Sequence, residues 1–175
     1  MRIAISGKSG CGNTTVSTLV ADRMNYPLIN FTFRSLAEER GVDFWEFCRQ
    51  AEMDDQIDIE LDTRQVSMAM EQEDCVLGSR LAIWMLKEAD LKVYLTASIE
   101  ERAMRIHKRE GGSFTQRLKE TTRRDANDTA RYKRIYNIDN SDPSIADLVI
   151  DTDTLEPQQI ADMIIEKIRQ MKPGV

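Results

Sequence analysis

Residues 7–15 read GKSGCGNTT, which are residue types and spacings that suit a loop binding phosphate. Gly7, Gly12 and Thr14 occupy their places in the pattern G-x-x-x-x-G-K-[ST], whose backbone N–H groups cradle phosphate oxygens. Gly10 gives the chain further freedom to turn those N–H groups inward. The residues expected to hold phosphate are Gly7, Lys8, Ser9, Gly10, Cys11, Gly12, Asn13, Thr14 and Thr15, which we call the phosphate loop.

The lysine of that pattern is absent, because position 13 is Asn13. An amide donates hydrogen bonds but carries no charge, whereas phosphoryl transfer needs positive charge near the β- and γ-phosphates. Lys8 directly follows Gly7 and is one candidate source of that charge; the alternative is that Lys8 is a solvated surface residue. Thr14 is expected to supply a hydroxyl to Mg²⁺, and Thr15 a second hydroxyl near the α-phosphate.

Arginines recur in four further patterns, each of which also has the ordinary explanation of a solvent-facing ion pair. Together they suggest a site for small, highly charged anions, because the planar guanidinium matches a phosphate. The patterns are Phe33-Arg34, the stretch IDIELDTRQ with Asp62 and Arg64, the stretch GSRLAIWM with Arg80, and an R-x-x-x-D-x-x-R pattern made by Arg124, Asp128 and Arg131.

Short apolar runs alternate with helical patterns, which predicts an α/β fold with a parallel sheet covered on both faces. Strands are expected at residues 2–6, 28–30, 75–77, 91–96 and 146–150. Among the expected helices are 14–24, 33–40, 55–71, 81–88, 99–109 and 157–171, with two more arginine-rich helices ending near residue 136. Ligands bind beyond the carboxyl ends of such strands, where Gly7, Gly78 and Thr96 lie.

Composition narrows the classes of function. The chain has 175 residues and a net charge of −6, but residues 102–134 hold eight Arg and three Lys against two Glu and two Asp. An acidic protein with one basic stretch is not expected to bind nucleic acid in general. Three scattered cysteines, Cys11, Cys48 and Cys75, indicate reduced thiols and a cytoplasmic protein. No apolar run reaches the length that spans a bilayer, so we expect no membrane association.

These motifs, in this order, resemble the nucleoside monophosphate kinases, and most closely cytidylate kinases of the short archaeal type. The resemblance covers nearly the whole chain. It is carried by MRIAIS-G, FR-x-LAEERG, IDIELDTRQ, RLAIWMLKEADLKVYL, the Arg/Asp segment, IYNID and DLVIDT. It implies one domain over residues 1–175 with a three-layer α/β/α P-loop kinase fold, a helical monophosphate-binding insertion at about 31–73 and an arginine-rich lid at about 111–137.

The resemblance also implies roles. Arg34 and Arg80 would hold the acceptor phosphate, and Arg124 and Arg131 would reach the transferring or acceptor phosphate. Asp128 would orient Arg124 and touch the acceptor ribose. Asp62 and Arg64 would lie near the base. The reaction implied is transfer of the γ-phosphate of ATP, with Mg²⁺, to CMP or dCMP, by a monomer acting on free nucleotides.

Two departures from that family pattern keep other functions open. Besides Asn13, Gly78 stands where the archaeal type has an acidic residue that could help hold Mg²⁺. One alternative is therefore a nucleotide-binding module with little or no turnover. Another is a P-loop kinase that acts on a different acceptor.

Overall fold

The computed structural model describes the backbone of residues 1–171 and, except for Phe44, Trp45 and Cys48, their side chains. Within that range the strands are Arg2–Gly7 (β1), Leu28–Ile29 (β2), Cys75–Gly78 (β3), Leu91–Thr96 (β4) and Leu148–Asp151 (β5). The helices are Asn13–Met24 (α1), Phe33–Arg40 (α2), Phe44–Met53 (α3), Asp55–Met70 (α4), Ala82–Met85 (α5), Ile99–Glu110 (α6), Phe114–Tyr136 (α7) and Pro157–Met171 (α8). None of these helices combines the length and apolar character needed to cross a bilayer.

The five strands form one parallel sheet in the order β2-β3-β1-β4-β5. The first strand of the chain is therefore central, with Gly7 opposite Leu95 of β4 and Ile5 opposite Gly78 of β3. This register brings the carboxyl ends of β1, β3 and β4 together at one edge of the sheet. The phosphate loop leaves β1 at that edge, which is where ligands of such sheets bind.

Side chains on the strands alternate between two buried faces. Ile3, Ile5 and Val93 pack in a core shared with α1 and α8. Ala4 and Leu77 face the other way, into a core shared with α4 and α5. The period of two that a strand imposes on its side chains therefore produces helix layers on both faces of the sheet. The predicted three-layer α/β/α fold is confirmed.

The three helices between β2 and β3 have an apolar core of their own. It contains Phe31, Leu36, Ala37, Phe47, Ala51, Ile57 and Leu61. Their ends are capped as the sequence allows: Thr32 and Ser35 form a capping box, Gly41 ends α2 at a φ of 63°, and Asp54 accepts from the Gln56 N–H at 2.9 Å. This unit thus holds its shape by local packing and caps.

Three predicted helices differ from the structure. The helix expected at residues 81–88 ends at Met85, because the Asp90 N–H must reach Arg2 O, at 2.8 Å, to begin the pairing of β4 with β1. The two arginine-rich helices are one continuous helix, α7, of 23 residues. No glycine or proline interrupts it, and the Thr121 and Thr122 hydroxyls donate to carbonyls one turn back, at 2.7 and 2.8 Å.

Position 78 has room for glycine but not for a residue with a side chain. A Cβ atom at this position would lie 2.2 Å from Ser17 Oγ and 2.6 Å from Ser17 Cβ, on α1. Rotating the serine side chain moves its Oγ but not its Cβ, so any side chain at position 78 has to displace α1. The position at which the family resemblance suggests a carboxylate is therefore packed against α1 in this chain.

Gly78→Ala should lower the free energy of unfolding by about 1–3 kcal/mol, because it overpacks a filled interface. Urea unfolding of the variant and the wild type measures the change. Ser17→Gly is the matched background, and by itself it should lower stability by about 1 kcal/mol because glycine is a poor helix residue. Gly78→Ala should cost less in that background, and an equal cost in both would contradict the packing explanation.

Candidate active site

The amino end of α1 is left open for an anion. Its N-cap residue is Gly12, at a φ of 98°, which provides no side-chain cap, and the first turn contains no acidic residue. The first N–H groups of a helix have no partners within the helix, and together they carry partial positive charge. Since no side chain that the structure describes caps them, these groups suit a phosphate oxygen.

Asn13 turns back onto the phosphate loop. Its Nδ2 donates to Gly7 O at 2.6 Å, and its Oδ1 is buried without a hydrogen-bond partner. The amide thus closes the loop between its first and seventh residues. It brings no charge to the position at which the common pattern has a lysine.

Cys11 is a packing residue of the loop. It is 2% exposed and belongs to the core that contains Ile5 and Val16. Burial raises the pKa of its thiol to about 11, so the thiol is protonated at neutral pH. A buried neutral thiol is a poor nucleophile, which agrees with a structural role.

The phosphate loop faces a cavity of about 650 Å³, which Arg80 also lines. Lys8 lines it too, and its ammonium group makes no hydrogen bond or ion pair within residues 1–171. The hydroxyls of Thr14 and Thr15 border the same space. A volume of this size accommodates a small-molecule ligand. The loop, its lysine and the arginine that follows β3 therefore share one chamber.

Arg80 connects that chamber to α7. Its Nη1 donates to Asp128 Oδ2 at 2.6 Å, and Arg131 Nη2 donates to Asp128 Oδ1 at 3.3 Å. Arg131 Nε also lies 3.3 Å from Asp58 Oδ2 of α4, although the two atoms lack hydrogen-bond geometry. Two arginines from different elements thus share one buried carboxylate, which holds the β3 end, α4 and α7 in a charged network.

Arg124 lies on the same side of α7 as Asp128 and Arg131, because spacings of four and seven residues return to one helix face. It is exposed. The positive charge of Arg80 is the largest influence lowering the pKa of Arg124. The two guanidinium groups therefore repel each other, which a bound anion would relieve. Within the described residues no hydrogen bond joins Arg124 to Asp128.

The three remaining predicted residues lie in the helical unit between β2 and β3. Arg34 is exposed near the start of α2. Asp62 is 7% exposed and accepts a hydrogen bond from the Tyr136 hydroxyl at 2.7 Å. Arg64 pairs with Glu39, with its Nη2 3.1 Å from Oε1, and stacks 4.3 Å above the Phe31 ring. The Arg64 guanidinium is thus engaged within this helical unit.

The sequence reasoning missed two arginines of α6 that contact the phosphate loop, of which Arg105 also lines the chamber. Arg102 donates to Ser9 O at 3.1 Å and pairs with Asp125 of α7. Arg105 donates to Gly10 O at 3.4 Å and to the carbonyl of Thr152 at 2.5 Å. Their spacing of three residues puts both on one face of α6, and this spacing was the available signal. That the face meets the loop depends on the fold.

A family model described as the cytidylate kinase-like family matches residues 2–154 of this chain. The chain belongs to that family. The resemblance stated from the sequence is thereby confirmed.

Individual relatives agree with the family match. The chain is 46% identical over 172 residues to cytidylate kinase 2 of Borrelia garinii subsp. bavariensis, covering 96% of each chain. It is 44% identical over 170 residues to cytidylate kinase of Methanococcoides burtonii, covering 96% of this chain and 97% of the relative. Shikimate kinase from Acinetobacter baumannii has a similar structure, with a TM-score of 0.63 at 17% identity over 98% of this chain and 94% of that one. At that identity the likeness concerns the fold, and it confirms the P-loop kinase architecture.

Two buried carboxyl groups of α4 have a raised pKa. Burial raises the pKa of Asp58 to about 6, and burial raises that of Asp62 to about 6 as well. Because the folded protein binds these protons more tightly than the unfolded chain does, the contribution of these two groups to the free energy of unfolding is greatest where both are protonated. This contribution is lost as the pH rises from about 4, the ordinary pKa of Asp, through about 6, the pKa of both groups in the folded protein.

Asp62→Asn should raise the free energy of unfolding at pH 7 by about 1–3 kcal/mol, because it removes a buried charge but keeps an acceptor for Tyr136. Near pH 4 the variant and the wild type should be equally stable, since the wild-type carboxyl is protonated there. Urea unfolding between pH 4 and pH 8 tests this. Asp22→Asn, at an exposed site, is the control and should show no such pH-dependent difference; a difference for Asp62→Asn that does not vary with pH would contradict the assignment.

Proposed function

We propose that this protein is a nucleoside monophosphate kinase that transfers the γ-phosphoryl group of ATP to CMP or dCMP, giving CDP or dCDP and ADP. The observation that carries the proposal is the position of Arg80. This arginine lines the chamber of the phosphate loop and at the same time binds Asp128 of α7. The phosphate loop and the arginine network of α7 therefore meet at one residue, in a chain whose relatives are named cytidylate kinases. This arrangement supports a donor site on the loop side and an acceptor site on the arginine side.

The donor phosphates would bind to the N–H groups of the phosphate loop and of the first turn of α1. Gly7, Gly10 and Gly12 let the backbone approach, and Ser9 adds its peptide N–H group. The other member of the loop, Cys11, donates its N–H to Lys8 O at 3.1 Å and so helps to shape the turn. Lys8 would place its ammonium group against the phosphates, in the role that the loop lysine has in the common pattern. Asn13 would keep the loop closed through its bond to Gly7 O.

The acceptor would lie on the arginine side. Arg34 and Arg80 would hold its phosphate, Arg131 and Arg124 would contact the acceptor or transferring phosphate, and Asp128 would fix the arginines and bind the ribose. Asp62 and Arg64 would border the base. These roles suit residues 31–73 as the monophosphate-binding insertion and residues 111–137 as the lid of a single domain.

In the reaction, an oxygen of the acceptor phosphate attacks the γ-phosphorus of ATP, and the bond from that phosphorus to the bridging oxygen breaks as ADP leaves. No protein atom forms a covalent bond, so the protein acts by holding the two phosphates in line and by stabilising charge. Arginines suit this task because they stay charged and match phosphate geometry.

Mg²⁺ would be held mainly through nucleotide phosphates and water. The uncommitted Thr14 hydroxyl borders the chamber, which fits one oxygen ligand. Among the side chains that the structure describes, no group of three or more His, Cys, Asp or Glu could hold a metal ion. Mg²⁺ commonly keeps several waters and binds through substrate phosphates, so this sparse set is adequate. When bound, the ion would neutralise charge on the phosphates.

Two properties of the working protein complete the proposal. Cys11 and Cys75 are unpaired and buried, which agrees with a reducing compartment such as the cytoplasm. The protein would act as a monomer on free nucleotides, with no nucleic acid or membrane as partner. Its net charge of −6 agrees with the absence of nucleic-acid binding.

An ADP-release assay with ATP and Mg²⁺ tests the proposal against a panel of CMP, dCMP, UMP, AMP and GMP. ADP formation should saturate with CMP or dCMP. ADP formation with a different acceptor and none with CMP would support a kinase of other specificity. ATP binding without turnover on any acceptor would support the nucleotide-binding module.

Lys8→Ala should lower kcat by about 100- to 1000-fold, as expected for removing a group that stabilises developing charge. The double variant Lys8→Ala/Asn13→Lys should have a kcat about tenfold higher than Lys8→Ala alone, because the new lysine returns a cation to the loop. The control is Lys87→Ala, an exposed lysine outside the chamber, which should leave kcat unchanged. If Lys8→Ala kept the wild-type kcat, the positive charge needed for phosphoryl transfer would have to come from the arginines of α7.

A further inference from the structure

We infer that Arg102 is a positioning residue that sets the phosphate loop and the arginine-bearing helix α7 at the same time. The inference rests on the proposed function, because it concerns how the two halves of that site are aligned. Arg102 is 4% exposed. It acts from behind the loop, through backbone groups and through Asp125.

On the loop side, Arg102 fixes the orientation of one peptide group. Its Nη1 donates to Ser9 O at 3.1 Å. In a planar trans peptide, the N–H of the next residue points opposite to that carbonyl, so the Gly10 N–H is directed away from Arg102 and into the cradle. The contact is close, since a Cβ on Gly10 would lie 2.8 Å from Arg102 Cβ and 3.0 Å from Arg102 O.

On the helix side, Arg102 holds Asp125 by two hydrogen bonds. Nη1 lies 3.0 Å from Oδ1 and Nη2 lies 2.6 Å from Oδ2, and the two side chains are 5% and 15% exposed. Asp125 follows Arg124 directly and precedes Asp128 by three residues. Fixing Asp125 therefore fixes the rotation of α7 about its axis, which determines where the side chains of Arg124 and Asp128 point.

A third contact completes the arrangement. Arg102 Nε donates to Ala97 O, at 3.3 Å, just beyond the end of β4. One guanidinium thus joins the loop, a strand end and α7 through its fork of donors. A lysine carries its donors on one nitrogen at the end of a flexible chain and could not make all three contacts in this geometry.

The role predicts specific kinetic changes. Asp125→Asn should lower kcat about 100-fold, because a shift of the reacting groups by about 1 Å has an effect of this size. The KM for CMP should change much less. Arg102→Lys should also weaken ATP binding about tenfold, because the Ser9–Gly10 peptide is no longer fixed. Asp162→Asn is the matched control, since Asp162 pairs with Arg23 at 2.5 Å on the far helices and should change neither quantity.

The experiment measures kcat, KM for CMP, the Kd for ATP with Mg²⁺ by calorimetry without acceptor, and Tm by circular dichroism. All activities are taken at a temperature at which every variant is folded. The inference predicts lower kcat for both variants and a raised Kd for Arg102→Lys. A variant with a lower Tm but wild-type kcat and ATP Kd per folded molecule would overturn it and leave Arg102 with a role in stability alone.

A double-variant comparison shows whether Asp125 acts through α7. If it positions Arg124, Asp125→Asn should lower kcat less in an Arg124→Ala background than in the wild type. If Asp125→Asn lowered kcat equally in the Arg124→Ala background and in the wild type, the part of the inference that concerns α7 would be overturned. A wild-type protein that binds ATP but turns over no acceptor would refute the proposed function; the ATP Kd of Arg102→Lys would then decide the inference on the loop side.

Discussion

A loop that binds phosphate must leave backbone N–H groups available to the ligand, and the amino end of α1 satisfies that constraint. Gly12 precedes α1 without capping it, and no acidic side chain occupies the first turn. The carbonyl groups of Ser9 and Gly10 turn the other way, to Arg102 and Arg105. Backbone donors are most effective when they are fixed before the ligand arrives, because the ligand then need not reorganise them. The arginines of α6 thus complement the open end of α1.

Several arginines in and around the arginine-rich segment are paired with carboxylates, which helps an acidic protein to tolerate this segment. Asp125 binds Arg102, Asp128 binds both Arg80 and Arg131, and Asp55 binds Arg134, with Nε 3.1 Å from Oδ2. Partly buried arginines require such partners, since an unpaired buried charge is strongly destabilising. The pairs also join α7 to α4, to α6 and to the end of β3. The same contacts that neutralise the helix therefore position it beside the chamber.

Asn13 and Gly78 give the loop region a tightly packed interior. Asn13 holds the loop closed through Gly7 O, and Gly78 leaves room only for Ser17. Both positions differ from the charged side chains that the sequence patterns suggest, a lysine at position 13 and a carboxylate at position 78. In this chain they serve packing and loop shape, so the positive charge for phosphoryl transfer would come from Lys8 and from arginines of neighbouring elements. The chemistry would then depend on groups brought in by tertiary structure.

The sequence by itself determined the phosphate loop, the alternation of strands and helices and the family, because these depend on local spacing and on residues close in the chain. It also located α2 and α8, whose capping residues and glycine or proline signals are local. Only the tertiary structure decided the short α5 and which carboxylate each arginine binds. Arg102 meets an aspartate 23 residues away, and Arg80 meets one 48 residues away. Many carboxylates are compatible with each arginine in sequence, and the packed arrangement of the helices selects among them.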